Sequence, residues 1–466
     1  MIRSLPPRRV LVAVALGLLA GCGGGGGGGS PPPPTGLTYA NPAASFRVGV
    51  TGPADVPTIG GGLSNTFTIS PPLPAGLTIG STSGIINGAP LGTSPTTTYT
   101  VTATNDGGSD QAVITVQATP ALPAAFLTLE PGFAAEVVLA SANAPVKMAF
   151  APDGRLFFNE LTTGATRIID AGGTLLPIPF STLSILNFGE QGLLGIAIDP
   201  AFATNHFVYV YASVPAISGH PDRNQVVRFT ESANVGGSKT VILDDLPIGP
   251  NHNSGDVAFG PDGKLYVTLG ETGNQSLSQD DASIAGRMLR MNSDGSIPAD
   301  NPIPGSREWA RGLRNSFDMT FHPVTGDHYA SENGPMDQDE VNYIQKGKNF
   351  GWPSLPLGFP ASQVGHRLRQ WTPVIAPTGI TFYTGSGFGA GYDNNLFLCS
   401  FVDANLRRLQ VSGTGPNFTD FDDEFMFATW NNVGGSQNRP LDILQGPDGN
   451  LYISTFSSIF RIKKYP

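Results

Sequence analysis

A histidine and a glutamate are the residues of this sequence best suited by type and spacing to move a proton. His252 lies in the polar segment Asn251–Gly255, directly before a predicted strand. Glu271 follows nineteen residues later, after that strand, a turn and a second strand. A hairpin of this length can return Glu271 beside His252, where a carboxylate on one imidazole nitrogen would leave the other nitrogen as a base. The spacing leaves an alternative equally open, a loop histidine that is bonded to its own turn.

Two further segments have the composition of an anion site and of a cation site. Arg314 and Asn315 precede another predicted strand, and an arginine there is either solvated or faces a carboxylate or a developing oxyanion. Residues 331–340 (SENGPMDQDE) combine a Gly-Pro turn with four carboxylates. Turn carbonyls and carboxylates are oxygen ligands suited to calcium, although the spacing is not that of an EF-hand. The alternative for this segment is a solvated acidic loop.

A repeated turn predicts the scaffold that must bring these segments together. The phrase Phe-Ala-Pro-Asp-Gly-Arg-Leu-Phe at 150–157 returns at 259–266 and 445–452, with looser copies at 198–208 and 321–329. Its prolines are 48, 61, 62 and 124 residues apart, and the double interval contains one copy without proline, Gly391–Ser400. A Pro-Asp-Gly turn between alternating apolar runs joins two strands. Six such units at this period predict an all-β chain with a six-bladed β-propeller.

The segments before the ring are predicted separately. Residues 36–118 resemble the immunoglobulin-like domains of bacterial surface proteins, through the motif at 71–90 and the alternating strands after it, and are expected to form a small β-sandwich spacer. Residues 119–128 are predicted to be a linker, and the propeller is expected to span 129–466. Within it, Gly132–Ala140 is expected to pair with the last blade near 460–465, which closes the ring and removes exposed edges.

The N-terminus has the pattern of a bacterial lipoprotein. Arginines precede an apolar run, Val10–Ala20, that is too short to span a membrane, and residues 18–22 (LLAGC) resemble a lipobox. The resemblance implies lipidation of Cys22 and a membrane-anchored protein of the cell envelope, of the bacterial outer membrane in particular, with the Gly- and Pro-rich residues 23–35 as tether. An ordinary secretory signal is the alternative. Cys399 has no disulfide partner and is expected in the core.

Charge excludes one class of partner. Only 13% of the 466 residues are charged, and removal of residues 1–21 changes the net charge from −10 to −13 because three arginines are lost. An acidic surface argues against binding to nucleic acid.

Seven collinear segments resemble the soluble quinoprotein glucose/sorbosone dehydrogenases. In chain order they are Gly189–Phe202, His252–Glu271, Gly286–Pro302, Gly312–Pro323, Ser331–Pro353, Ala376–Gly385 and Arg439–Thr455. The resemblance implies a six-bladed propeller that uses pyrroloquinoline quinone (PQQ) and calcium to oxidise aldose sugars at C1 to the lactone, with hydride transfer to the quinone. An electron acceptor is implied as a further partner, and the sequence does not identify it.

The resemblance also implies roles for single residues, position by position. His252 would be the catalytic base, Glu271 the group that orients it, and Arg314 the cation that faces the reacting quinone oxygens. The positions implied for cofactor contact are Glu190, Gln191, Asn253, Arg314, Asn315 and Arg439. The positions implied for calcium are Gly334, Pro335, Asp339 and Glu340. Trp371 is implied as an aromatic on the sugar side.

Two positions depart from the family pattern, in which basic side chains bind the three carboxylates of PQQ. Val402 and Leu441 stand where the family has a lysine and a second arginine, and charged hydrogen bonds of this kind contribute roughly 1.5–3 kcal/mol each. Arg407 and Arg408 are candidates to replace them. The departures keep two alternatives open beside the dehydrogenase: a cofactor-free, carbohydrate-binding or adhesive surface propeller, and a calcium-dependent hydrolase with His252 as base.

Overall fold

Almost all regular structure in the chain is β-strand, as predicted. The computed structural model describes residues 30–64, 66–411, 421–431 and 436–465. Strands account for 49% of it and helices for 4%. The helical pieces are single turns: α1 (Phe202–Asn205) and 3-10 turns at Gln275–Ser278, Ala361–Gln363, Ala390–Tyr392 and Ser436–Asn438. Within these ranges, no helix has the length and apolar character needed to cross a membrane. The predicted lipobox with Cys22 lies outside the described residues.

The N-terminal region is a small all-β domain. Its strands are β1 (Pro34–Tyr39), β2 (Ala43–Arg47), β3 (Pro57–Gly61), β4 (Thr66–Ser70), β5 (Leu77–Ile79), β6 (Ile86–Gly88), β7 (Ser94–Asn105) and β8 (Gly108–Thr119). A four-stranded sheet has the order β2-β8-β7-β4, in which β2 runs parallel to β8, and β1-β3 and β5-β6 form two smaller sheets. Alternate residues of these strands point inward and build one core, which includes Phe46, Phe67, Tyr99 and Ile114.

Six larger sheets, called blades 1 to 6 here, follow in the described part of the chain. Blade 1 contains β11 (Pro145–Phe150), β12 (Leu156–Glu160), β13 (Ala165–Ile169) and β14 (Ser181–Thr182). Blade 2 contains β15 (Leu193–Ile198), β16 (Phe207–Val214), β17 (Arg223–Ser232) and β18 (Val235–Leu246). Blade 3 contains β19 (Ser254–Phe259), β20 (Leu265–Leu269), β21 (Arg287–Met291) and β22 (Glu308–Arg311). Blade 4 contains β23 (Ser316–Phe321), β24 (His328–Glu332), β25 (Asp339–Tyr343) and β26 (His366–Trp371). Blade 5 contains β27 (Pro377–Phe382), β28 (Leu396–Ser400), β29 (Asn405–Val411), β30 (Phe421–Trp430) and β9 (Phe126–Leu129). Blade 6 contains β31 (Pro440–Gln445), β32 (Leu451–Thr455), β33 (Ile459–Lys464) and β10 (Phe133–Leu139).

The first-named strands of successive blades contact one another, and blade 6 contacts blade 1, so the sheets form a closed ring. The repeated Pro-Asp-Gly turn joins the inner strand of a blade to its second strand, as predicted. Its closing backbone hydrogen bonds are 2.9 Å in blade 1, 2.9 Å in blade 3 and 2.8 Å in blade 6. Because these turns all lie on one face of the ring, the loops that precede the inner strands lie on the other face. Those loops carry Glu190, His252, Arg314 and Arg439.

Both ends of the propeller segment are paired in sheets. Strand β10 pairs antiparallel with β33, which confirms the predicted closure. Residues 126–128, which were predicted as linker, instead belong to β9 and pair with β30 at the edge of blade 5. The physical reason is an apolar anchor: the ring of Phe126 is buried 4.7 Å from that of Trp430 and 5.1 Å from that of Phe460. Cys399 is buried in β28 as a free thiol, as expected.

Charged side chains from four inner strands meet at the centre of the ring. The ammonium of Lys147 lies 2.9 Å from Asp442 Oδ1 and 3.4 Å from Asp256 Oδ1, and it also pairs with Asp318. Burial opposes the charge of Lys147, but the three carboxylates outweigh burial and hold the pKa of Lys147 well above its usual value. We call these four residues the hub. The sequence analysis did not identify it.

The hub also ties neighbouring blades together through the backbone. Each carboxylate accepts an N–H group from the inner strand of another blade: Asp442 from Met148 (2.8 Å), Asp318 from Ile380 (2.8 Å) and Asp256 from Met319 (3.1 Å). These bonds hold the inner strands at fixed spacing directly beneath the face that carries the predicted site residues.

Candidate active site

The loop before β19 holds His252 in a strained conformation. His252 and Ser254 have φ values of 57° and 53°, in the left-handed region, which costs a non-glycine residue about 1–3 kcal/mol and occurs often at functional sites. The loop is kept in place by the fully buried Asn253, whose carboxamide bonds both the N–H (3.2 Å) and the carbonyl (2.8 Å) of Gly249. Asn253 was predicted to contact cofactor. That contact stays a prediction, and in this structure the side chain is occupied inside the loop.

The predicted partner of His252 lies beside it. Nδ1 of the imidazole is hydrogen-bonded to Oε1 of the buried Glu271, which favours the tautomer with the proton on Nδ1. This pairing leaves Nε2 for proton transfer. The backbone N–H of Glu271 donates to the carbonyl of Arg314 at 2.9 Å, so the loop before blade 4 supports the pair from the side. The backbone N–H of His252 donates to Glu190 Oε2 at 2.6 Å.

Arg314 and Asn315 join this cluster from blade 4. The guanidinium of Arg314 donates to the carbonyl of Asn333 at 2.8 Å and lies 5.5 Å from the ring centre of Trp352. Asn315 Oδ1 accepts the hydroxyl of Ser254 at 3.0 Å, and its Nδ2 donates to Glu190 Oε2 at 3.4 Å. The structure therefore brings five predicted residues into one connected network: His252, Glu271, Arg314, Asn315 and Glu190.

The predicted calcium segment borders a small pocket that Arg314 and Trp352 also line. Gly334 and Pro335 also line it. The carboxylate of Asp339 does not reach the pocket as a free ligand, since it accepts the N–H groups of Gly334 (3.0 Å), Ile375 (2.6 Å) and Ala376 (2.7 Å). These bonds give the Asp339 side chain a structural role in shaping the Gly-Pro turn, and its metal role stays a prediction.

Glu340 lines the same pocket but already has partners. It pairs with Arg367 at 3.1 Å and accepts the amide of Asn342 at 3.2 Å. Burial raises the pKa of Glu340 to about 7. The positive charge of Arg367 lowers this pKa, and the negative charge of the neighbouring Glu332 raises it further. The pocket thus places two buried carboxylates, Glu332 and Glu340, beside the cations of Arg314 and Arg367.

Two other predicted residues are not members of the five-residue network. Trp371 is 8% exposed and packs in the core between blades 4 and 5, where its indole N–H faces the carboxylate of Glu424 at 3.2 Å. Strand β26 directs the ring inward, which disfavours the predicted sugar contact, and that contact stays a prediction. Gln191 donates to the carbonyl of Gly249 at 3.1 Å and so supports the His252 loop.

The arginines proposed to replace the missing basic residues are occupied elsewhere. Arg407 is buried and binds Glu424 at 2.8 Å, together with Asp403 and Ser400. Arg408, which points to the opposite side of β29, lies over the rings of Tyr392 and Phe425 at 4.5 and 4.4 Å. Neither reaches the network around His252.

At the two altered positions themselves, Leu441 is buried and Val402 is exposed. Half-buried Arg439 lies over the ring of Phe401 at 4.7 Å, next to Val402. Arg439 therefore lies on the same face as the network, and its role as a cationic contact for an anionic ligand stays a prediction.

The sequence analysis missed two residues of this site. Glu332 was counted only as one of four carboxylates, yet it is buried and bonds the loop of Arg314. Trp352 was not identified at all, although it faces Arg314 and lines the pocket. The signal that the sequence offered was position: Glu332 lies in the acidic segment 331–340, and Trp352 lies in the family-like segment 331–353. No spacing rule distinguishes either residue from its neighbours.

Comparisons with known proteins agree with this architecture. Residues 142–459 match the family model described as "Glucose / Sorbosone dehydrogenase", and residues 29–119 match the one described as "Putative Ig domain". The chain is 30% identical over 421 residues to quinoprotein glucose dehydrogenase B of Acinetobacter calcoaceticus, covering 69% of this chain and 85% of that protein. It is 27% identical over 354 residues to the aldose sugar dehydrogenase YliI of Escherichia coli, covering 69% and 90%.

Solved structures give the same result. The PQQ-bound aldose sugar dehydrogenase of Streptomyces coelicolor superposes with a TM-score of 0.59 at 27% identity, over 74% of this chain and 99% of that one. The apo form of the soluble aldose sugar dehydrogenase of Escherichia coli superposes with a TM-score of 0.62 at 25% identity, over 71% and 99%. This chain therefore belongs to the glucose/sorbosone dehydrogenase family.

Proposed function

We propose that this protein is a PQQ- and calcium-dependent aldose dehydrogenase that oxidises the C1 hydroxyl of a sugar to the lactone. The observation that carries the proposal is the His252–Glu271 pair, a base with a fixed tautomer, on the loop face of the ring beside Arg314. Family membership and the PQQ-bound relative support the choice of cofactor. The chemistry supplied by bound PQQ is acceptance of the hydride that leaves C1.

The residues of this chain would position and deprotonate the sugar. Nε2 of His252 would take the proton of the C1 hydroxyl, and the carboxylate of Glu271 would stabilise the imidazolium that results. Arg314 would place positive charge where negative charge develops during the reaction. Asn315 and Glu190 hold the loop of His252 and so keep the base at a fixed position.

The residues present fit the two groups that the proposal requires. Arg439 would bind a carboxylate of PQQ, and Arg314 would face its quinone oxygens. Nε1 of Trp352 is buried without a hydrogen-bond partner among the described residues, so a polar ligand would complete it. The backbone carbonyls of Gly334 and Pro335 would bind calcium. A divalent cation there would favour the ionised forms of Glu332 and Glu340, whose pKa values burial raises.

Reconstitution tests the proposal. Purified residues 30–466, which do not include Cys22, are incubated with PQQ and calcium and assayed by dye reduction with a panel of aldoses. We expect sugar-dependent activity that a chelator abolishes. His252→Ala should lower kcat about 10²- to 10⁴-fold while PQQ is retained. Unchanged kcat in that variant would remove His252 as the base.

A cofactor-free, carbohydrate-binding propeller is the second candidate. It is favoured by one observation: Arg407 and Arg408 do not replace the basic residues lost at Val402 and Leu441. In that case the protein would bind sugars by calorimetry but would not retain PQQ at micromolar concentration, and no dye would be reduced.

We further propose that the mature protein is anchored in the cell envelope by lipid on Cys22 and passes its electrons to a separate acceptor. The lipobox pattern and the Gly-rich tether support the anchor. Cys22→Ala should move the protein from the membrane fraction to the soluble fraction, and unchanged membrane association would exclude Cys22 as the anchor.

A further inference from the structure

A single buried carboxylate holds the loop that carries Arg314 and Asn315. Glu332 lies at the end of β24 and is 4% exposed. Its Oε1 accepts the backbone N–H groups of Arg314 at 2.8 Å and Asn315 at 2.6 Å, and its Oε2 accepts the hydroxyl of Ser316 at 2.5 Å. Hydrogen bonds to an ionised acceptor are about twice as strong as neutral ones. Three successive residues are therefore fixed by one side chain.

Two chains of hydrogen bonds lead from this loop to His252. On the first, the carbonyl of Arg314 accepts the N–H of Glu271 at 2.9 Å, and Glu271 binds the imidazole. On the second, the amide of Asn315 donates to Glu190 at 3.4 Å, and Glu190 accepts the N–H of His252 at 2.6 Å. A displaced 314–316 loop would therefore disturb both the ring and the backbone of His252.

The residue after Glu332 strengthens the same connection. The carbonyl of Asn333 accepts the guanidinium of Arg314 at 2.8 Å, and the N–H of Asn333 donates to the carbonyl of Asn315 at 3.0 Å. The dipeptide 332–333 thus holds Arg314 at its backbone and at its charged end.

The equivalent position in blade 1 shows what is particular to blade 4. Glu160 ends β12 as Glu332 ends β24, and it is equally buried at 4% exposure. Its carboxylate accepts the hydroxyl of Thr163 at 2.6 Å and the guanidinium of Arg167 at 3.4 Å. These partners belong to blade 1 and are not members of the His252 network, so Glu160 provides a matched control.

We propose that Glu332 is a positioning residue for the reaction, which holds Arg314 and Asn315 directly and, through them, Glu271 and His252. The inference rests on the proposed dehydrogenase function, and no proton transfer is attributed to Glu332. The carboxylate acts by geometry: it sets where the cation and the base of the site stand relative to each other.

Three variants of the full chain test this role: Glu332→Met, Glu332→Gln and the control Glu160→Met. Methionine removes both carboxylate acceptors. Glutamine keeps one oxygen, which can accept the N–H groups of Arg314 and Asn315, and its NH₂ group can donate to the hydroxyl oxygen of Ser316. With PQQ and calcium, E332M should lower kcat about 100-fold, the order expected for a misplacement of about 1 Å, while E332Q stays within about threefold of wild type. E160M should leave kcat unchanged.

A second readout needs no cofactor. Amide hydrogen exchange of the apo protein should be at least about tenfold faster at Glu271 and His252 in E332M than in wild type or E160M, because both amides depend on the loop. If E332M does not fold, Glu332→Asp, whose carboxylate is one methylene shorter, should give the same pattern. The proposal would be overturned if both amides exchanged in E332M at the wild-type rate, or if kcat of E332M were no lower than kcat of E160M.

The two hypotheses fail in different ways. If wild-type protein shows no PQQ-dependent sugar oxidation, the proposed function fails, and the exchange comparison still decides whether Glu332 positions His252. If wild-type protein is active and E332M matches E160M in both readouts, the positioning role alone is lost.

Discussion

Replacement of Lys147 by methionine should destabilise the propeller strongly. Methionine keeps most of the side-chain volume but removes the ammonium, which leaves three buried carboxylates without their cation. Removal of one partner from a buried ion pair typically costs about 3–5 kcal/mol of the free energy of unfolding. We expect about 3 kcal/mol at pH 8, at the low end of that range, because protonation of a carboxylate can relieve part of the repulsion.

The penalty should depend on pH in a defined direction. Burial raises the pKa of Asp318 to about 7 and that of Asp442 to about 6, even though Lys147 lowers both. The folded protein therefore binds these protons more tightly than the unfolded chain, and stability falls as pH rises from the ordinary carboxyl value through about 7. Without Lys147 both pKa values rise further, so this loss continues to higher pH. The difference in the free energy of unfolding between wild type and K147M should thus grow from pH 5 to pH 8.

Urea unfolding at pH 5 and pH 8 measures both effects. All four tryptophans lie in the propeller, at 309, 352, 371 and 430, so their fluorescence reports its unfolding separately from that of the N-terminal domain. Lys264→Met is the control, because that ammonium binds the neutral Asn292 at 2.7 Å. The view that charge pairing at the hub stabilises the ring would be refuted in either of two cases. One is that K147M is as stable as wild type at pH 8, and the other is that the substitution lowers the free energy of unfolding equally at both pH values.

Three further predictions concern the site. Glu271→Gln should lower kcat about 100-fold or more with little change in PQQ retention, because the His252 imidazolium loses its counter-charge. A steady-state kcat equal to that of wild type would contradict the pairing of Glu271 with His252. Arg439→Ala should weaken PQQ retention about tenfold or more in equilibrium dialysis, as expected for a lost charged hydrogen bond, and unchanged retention would place Arg439 outside the cofactor site. Trp371→Phe should lower the free energy of unfolding by about 1 kcal/mol because the hydrogen bond to Glu424 is lost, while KM for sugar stays constant. A raised KM would indicate that Trp371 contacts the sugar.

Much of this protein can be predicted from its sequence because the decisive signals are local. The Pro-Asp-Gly turns predicted the hairpins, their period predicted the ring, and Gly132–Ala140 was correctly expected to close it. The contact between His252 and Glu271 was one of two alternatives that the spacing left equally open. It could be proposed because the two residues lie at opposite ends of one hairpin, and two strands return the chain to its start. Turn chemistry and strand alternation act over a few residues and leave a readable pattern.

Other features were decided only when distant segments met in the tertiary structure. Lys147 and Asp442 are 295 residues apart, and Glu332 and Trp371 carry nothing in their neighbouring residues that distinguishes a site member from a core residue. Arg407 was a candidate for the cofactor site until the fold placed it against Glu424. Burial and charge compensation depend on which blades lie side by side. The sequence by itself therefore determined the blade, the hairpin and the family, whereas the tertiary structure decided which charged and aromatic side chains face the site and which are enclosed in the ring.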